Sequence, residues 1–521
     1  MSVSVSSSTR KTRLQVALEN KRVIAYCLYV SLAAITYGFD GAVSGYLLSL
    51  PVFVQHFGYN YNGTFVVPAI HQSTWNGVVV AGGVLGAFVA GPIGNRLGRR
   101  YLFIIGSVIS ACGILAQELA DEWRVMAAGK FINYIAMSMY AVGAPTYISE
   151  ICPVELRGIA LTFFNFFTLI GQFICSCVMQ GTMKRTDALS FRIPIIVQYG
   201  VPLILFVGTW FIPETPYWHA EKGQNDAAKA SLERLHGGKV DFEERFRDIQ
   251  SEIEHNQKAS TVKFIDCFKG SNLRRTIIAA GILSGQQLVG VAFVFGYTTY
   301  FFILSGIATA QAFTITAIMF ALQVVANMCS WYSIDRFGRR FLLLVGTSIM
   351  FVSLYIIGGV GTNPLYTTGH FPKVVVSFMV IFSVFYQLSL GSVGWTVASE
   401  VSSSVNRAST QAIAVFWSTI FGFVISFTIP YLINPDEANL GPKVGFIYGS
   451  FTLIVLAFIW FCVPEMKGRS YEELDYMFRN GIPTRAFENF KVPAGEITEI
   501  GSAHLSNEKH RSSPDVAEVA V

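Results

Sequence analysis

The sequence predicts an all-α membrane protein whose twelve transmembrane helices form two six-helix halves. Three observations carry this expectation. Charged residues make up only 14% of the 521 residues and hydrophobic ones 52%, whereas a soluble globular chain carries roughly 25% charged residues. Much of the surface must therefore face lipid. Twelve apolar runs each approach the length of about 20 mostly apolar residues that a bilayer core requires. Finally, three short patterns of the first half return in the same order in the second.

The polar, basic segment 1–22 does not read as a cleaved leader, and a long apolar run follows it directly. The first six runs, 23–50, 74–95, 101–120, 123–149, 158–181 and 192–213, make an N-terminal bundle, 23–213. The stretch 214–275 carries equal numbers of acidic and basic side chains and reads as a solvated central loop. Within it ERLHGG and FEERFRDIQSEIEHNQ are expected to form short amphipathic helices. Runs at 276–303, 310–333, 341–361, 373–400, 409–434 and 444–464 make a C-terminal bundle, 276–464, followed by a polar tail, 465–521, expected to be disordered at its end. The eight cysteines lie in apolar runs or in segments placed in the cytosol, which argues against a disulfide framework. All eight histidines are placed outside the runs.

Lys and Arg set the expected orientation. Arg10, Lys11, Arg13, Lys21 and Arg22 precede the first run, Arg96, Arg99 and Arg100 join runs two and three, and Arg336, Arg339 and Arg340 join runs eight and nine. The connections between runs one and two, and between seven and eight, have neither residue. Both termini and the central loop are thus expected in the cytoplasm. The sequon Asn62-Gly63-Thr64 then lies outside, as a candidate glycosylation site.

NRLGRR at 95–100 returns as DRFGRR at 335–340, SEICPVELR at 149–157 as SEVSSSVNR at 399–407, and PETP at 213–216 as PEMK at 464–467. One match could be coincidence; three in order indicate a duplicated six-helix unit. Two such units around a central cavity are the major facilitator architecture. The repeats also carry charge. Arg96, Arg99, Asp335, Arg336 and Arg339 sit in the tight loops, and Glu150, Arg157, Glu400 and Arg407 at other ends on the same side. Charge-assisted pairs among them are expected to latch the two halves in an outward-open state and to break when the site opens inward.

These motifs resemble the sugar porter family of the major facilitator superfamily over nearly the whole chain. The pieces are YGFDGAVSG at 37–45, the two arginine loops, PTYISEICPVELRG at 145–158, PETP at 213–216, GQQLVG at 285–290 and PEMKGRSYEELD at 464–475. GKFINY at 129–134 together with YISEICPVELR is most similar to the fungal alpha-glucoside and maltose permease branch.

Asp40 is the only carboxylate inside an apolar run away from its ends, and Lys130 the only cation in a comparable setting. Charges at such depth are costly, so they pair or face a cavity. The resemblance implies that Asp40 serves proton coupling, with Lys130 where relatives place an arginine. Lysine cannot make a bidentate pair, but moving it away would still let Asp40 take a proton. A polyol needs amide donors and acceptors and an aromatic plate. The resemblance assigns these roles to Gln172, Gln286, Gln287 and Trp395, with Gln323 where an asparagine is common. Three departures stand out. Ala292 replaces an asparagine of hexose carriers, Asn95 replaces an aspartate, and the proline usual before Trp395 is absent.

The expected function is proton-coupled import of a sugar-like solute, by a protein of the plasma membrane. The alternatives are an exporter or carrier of a specialised metabolite, for which Ala292 speaks, and a sugar sensor signalling through its tail. No ATP-binding loop is present, and no enzyme activity, cofactor, metal or nucleic-acid partner is expected; the partners are solute, proton and lipid bilayer.

Overall fold

The computed structural model describes residues 19–236, 242–259, 264–403 and 406–490. Arg10, Lys11 and Arg13 and the tail beyond 490 lie outside the described residues. Twelve helices are long and apolar enough to cross a membrane. They are α1 Lys21–Leu47, α2 Ala69–Leu97, α3 Arg99–Glu118, α4 Trp123–Ile151, α5 Leu156–Thr182, α6 Leu189–Gly208, α7 Gly270–Gly296, α8 Thr309–Phe337, α9 Arg339–Val360, α10 Phe371–Val401, α11 Arg407–Ile433 and α12 Gly441–Cys462. Within the first half α1 packs on α5, and α4 on α2 and α3; within the second α7 packs on α11, and α9 on α10 and α12. The halves meet where α5 lies on α8, α2 on α11, and α1 on the last turns of α7. At the last contact Gly45 presses on the carbonyl of Gly296, leaving no room for a Cβ.

Between α1 and α2 the chain makes a two-stranded hairpin, β1 Tyr59–Tyr61 and β2 Thr64–Val66, antiparallel with Asn60 opposite Phe65. Its turn, Asn62-Gly63, has φ of 50° and 86°, the left-handed pair that Asn-Gly favours. We call the side of the molecule bearing it the hairpin face, and the opposite side, bearing the two arginine loops, the arginine face.

The central loop folds into short helices. Phe242–Ala259 contains the second amphipathic segment read from sequence, Asn225–His236 contains ERLH of the first, whose two glycines lie outside the described residues, and the two helices bury Ala228, Leu232, Phe246 and Ile249 together. The tail is ordered further than its polarity suggests. Ser470 caps a helix, Tyr471–Arg479, through a reciprocal capping box with Glu473. That helix docks on α7, where Asp475 forms a buried ion pair with Arg275 at 2.8 Å. One histidine departs from expectation: α2 starts before the apolar run, so His71 lies in its first turn, stacked on Trp123 at 4.3 Å between ring centroids.

Helix α10 is broken. It is α-helical over Phe371–Tyr386, makes a π-helical turn at Gln387–Gly391, and resumes as an α-helix over Ser392–Val401. The missing proline has thus not straightened the helix; a residue inserted into the turn breaks it instead.

Candidate functional site

On the arginine face the two halves build the same corner. Gly98 and Gly338 have φ of 113° and 90°, a region glycine enters at no steric cost, and each turn starts the next helix. A carboxylate caps each start. Glu214 accepts the backbone N–H groups of Arg99 and Arg100 at 3.0 and 3.1 Å. Glu465 accepts those of Arg339 and Arg340, both at 3.0 Å. An anion at a helix N-terminus satisfies orphan donors and the helix dipole together. Burial pushes the Glu214 carboxyl above the usual range, while the N–H groups of Thr215, Arg100 and Arg99 pull it back.

The arginine side chains then turn inward. Arg99 Nε and Nη2 reach Glu150 at 3.0 and 2.9 Å, and Arg339 Nε and Nη2 reach Glu400 at 3.2 and 2.9 Å. Glu150 also accepts from the Thr215 hydroxyl at 2.5 Å. Asp335 is 4.0 Å from Arg339. Arg407 donates to the Ser399 carbonyl and the Tyr471 hydroxyl. Arg157 has a buried Nε without a hydrogen-bond partner. Arg96 is exposed, as is Arg336, which donates to the Tyr332 hydroxyl. Each arginine–glutamate pair therefore lies within its own half. Among the described residues no ion pair links one bundle to the other in this conformation.

The halves are stitched on the hairpin face, by neutral groups apart from the carboxylate of Asp436. Gln72 Nε2 donates to Asn434 Oδ1 at 3.2 Å and to the Val67 carbonyl at 2.9 Å, and Asn434 Nδ2 donates to that same carbonyl. Asn76 Nδ2 donates to the Tyr297 hydroxyl and the Ser426 carbonyl at 2.9 and 2.7 Å. Ser73 donates to the Phe427 carbonyl, Gln180 to the Thr314 hydroxyl, and Tyr59 of the hairpin to Asp436 at 2.8 Å. Sequence reasoning does not find these contacts. The Asn-Gly dipeptide signals the hairpin, but nothing local signals Asp436, 377 residues from Tyr59.

Between the faces lies the charge pair. Lys130 Nζ is 3.8 Å from Asp40 Oδ1, the side chains being 3% and 1% exposed. Lys130 donates a hydrogen bond to Ser44 Oγ at 3.0 Å, while neither Asp40 oxygen has a hydrogen-bond partner. A small void beside Lys130 is lined by Ser44, Gln72, Trp75, Asn76 and Tyr297.

The amides predicted to meet solute fall into two groups. Gln172 on α5 has a buried Oε1 without a partner, and Gln323 on α8 is wholly buried with neither amide atom bonded. Gln387, at the start of the π turn and not singled out from sequence, has a buried Nε2 in the same state. Buried polar atoms without partners are uncommon and call for an explanation. Gln286 differs, because its Nε2 donates to the Leu390 carbonyl of α10 at 2.6 Å. Gln287 lies against Gly422 of α11. Trp395, 53% exposed, sits beyond the break in α10. Asn62 is exposed at the hairpin tip.

Comparison with known proteins agrees with this arrangement. The family described as Sugar (and other) transporter matches residues 26–478. A general alpha-glucoside permease of Saccharomyces cerevisiae is 29% identical over 497 residues, covering 94% of this chain and 80% of the permease. Maltose permease MAL31 of the same yeast is 31% identical over 512 residues, covering 96% and 83%. MFS transporter fmqE of Aspergillus fumigatus is 28% identical, covering 90% and 88%. Among solved structures, the xylose transporter XylE from E. coli in a partially occluded inward-open conformation superposes with a TM-score of 0.70 at 22% identity, covering 86% of this chain and all of that one. With twelve spans, two arginine corners and a family match over most of its length, the chain belongs to the sugar transporter family of the major facilitator superfamily and is a multi-pass membrane protein.

Proposed function

We propose that the protein is a secondary active transporter importing a sugar (an alpha-glucoside, a hexose or a related polyol) together with a proton, by alternating access. The observation that carries this reading is the Asp40–Lys130 pair. A carboxylate with both oxygens free of protein donors and a single cation beside it, deep in the membrane, has what a proton carrier needs. Buried amides on α5, α8 and α10 offer donors and acceptors for hydroxyl groups, and Trp395 an apolar plate. The yeast relatives are named for alpha-glucosides and maltose, and one structural neighbour is titled a proton:xylose symporter.

The Lys and Arg bias supports a cytoplasmic arginine face in the plasma membrane, and with that orientation the hydrogen bonds closing the hairpin face support an inward-facing reading of this conformation. Asp40 takes a proton from outside, solute binds, the halves rock, and both leave inside. The test is uptake of labelled mono- and disaccharides in transporter-null cells at acidic and neutral external pH, with wild type and Asp40→Asn. Concentrative uptake that is faster in acid and lost in the variant supports symport. Uptake indifferent to both pH and the substitution makes Asp40–Lys130 a structural pair in a facilitator. Ala292 favours a second reading, a carrier or exporter of a specialised metabolite. A surface-expressed protein that moves no sugar supports that reading instead.

A further inference from the structure

The break in α10 is held from outside the helix. A π turn inserts one residue, so the backbone there cannot satisfy itself in the α-helical register. Side chains take up the slack at both ends. Ser392 Oγ donates to the Gln387 carbonyl at 2.8 Å, and Asn327 Nδ2 of α8 donates to Ser392 Oγ at 3.1 Å. At the other end Gln286 Nε2 of α7 donates to the Leu390 carbonyl at 2.6 Å. Helix α7 can come this near because position 394 is glycine; a Cβ there would stand 2.8 Å from Gln286 Nε2. Removing the inserted residue would turn the following segment by about 100°. That segment, Ser392–Val401, carries the exposed Trp395 and also Glu400, which pairs with Arg339 on the arginine face.

We propose that Gln286 is a positioning residue that links the solute site to the shape of α10. While its amide N–H is spent on Leu390, the π turn is locked. A solute hydroxyl that draws that N–H away from Leu390, instead of taking the second N–H of the amide, releases the carbonyl and lets the segment bearing Trp395 and Glu400 rewind. The second half of this statement rests on the transport reading above; the first does not.

Hydrogen–deuterium exchange of the purified full-length protein tests it, read on peptides spanning 386–398. Without sugar, Gln286→Met should exchange there roughly tenfold faster than wild type, the loss expected for one net hydrogen bond. Gln287→Met, which alters the neighbouring amide without touching α10, should not. Ser392→Ala, which frees the other end of the turn, should act on the same peptides, and unchanged exchange in α3 shows that each variant is folded. Equal effects of the two glutamine variants, or none from either, overturn the role of Gln286. In wild type, saturating maltose should speed exchange in the same peptides. Sugar binding confirmed by a thermal shift, with α10 exchange unmoved, overturns the link to solute. If no sugar in a panel binds, the sugar-import reading falls, and the comparison without sugar still decides whether Gln286 locks the turn.

Discussion

The arginine face and the hairpin face are held by different chemistry. On the arginine face, ion pairs and helix-capping carboxylates tie each half to itself. On the hairpin face, amides and hydroxyls, with the single carboxylate Asp436 at the rim, tie one half to the other. Breaking a buried ion pair at one partner leaves an uncompensated charge in a poorly solvated place. A neutral hydrogen bond nets only about 1 kcal/mol. The first suits contacts that keep a corner of one half assembled, the second contacts between halves that form and break. Two rigid bodies that rock about a central site need both kinds.

Several substitutions test this contrast. The largest effect is expected within a half. Glu150→Ala leaves the buried Arg99 with only the partly exposed Glu221, 3.7 Å away, and should destabilise the protein by about 3 kcal/mol, seen as a lower melting temperature in detergent without a change in which face is open. Arg339→Ala, in the more exposed second corner, should lower it less. A fall no larger than that of a surface substitution in either variant would mean the corners do not hold the halves rigid. Next comes Asn434→Ala, which removes bonds to Gln72 and Val67 at the seam. It should shift the balance between open faces by about 2 kcal/mol, read as faster labelling of a cysteine introduced at Ser73, with the melting temperature nearly unchanged. Tyr59→Phe, at the exposed rim, should move the same labelling rate in the same direction but only slightly. The smallest effect belongs to Asn62→Gln. It should remove a glycan-dependent gel shift and leave both melting and labelling alone; a shift that persists in the variant places the glycan elsewhere.

Much of this is legible in the chain itself. Apolar runs and the arginine repeats point to twelve spans and two halves because a bilayer enforces length and composition on every helix independently. Asp40 and Lys130 stand out for the same reason: a charge is conspicuous where charges are costly. Glu214 and Glu465 sit inside the PETP and PEMK repeat, but their role depends on a turn geometry that brings a helix start to them. The break in α10 is harder still. Its usual sign, a proline, is missing, and the π turn is held by Gln286, Ser392 and Asn327, of which only Ser392 belongs to that helix.

Residue order is therefore enough for the class of protein, the span count, the duplication and the chemistry stored in the membrane. These follow from local composition and from patterns within a few turns of helix. Which groups meet is settled only when the helices pack. Packing places the arginine–glutamate pairs within halves, sets the amide seam between them, and commits Gln286 to the backbone of a neighbouring helix. Such contacts join residues from about 50 to more than 360 positions apart. A side chain carries its donors wherever it goes, but at those separations no local pattern can name the acceptor.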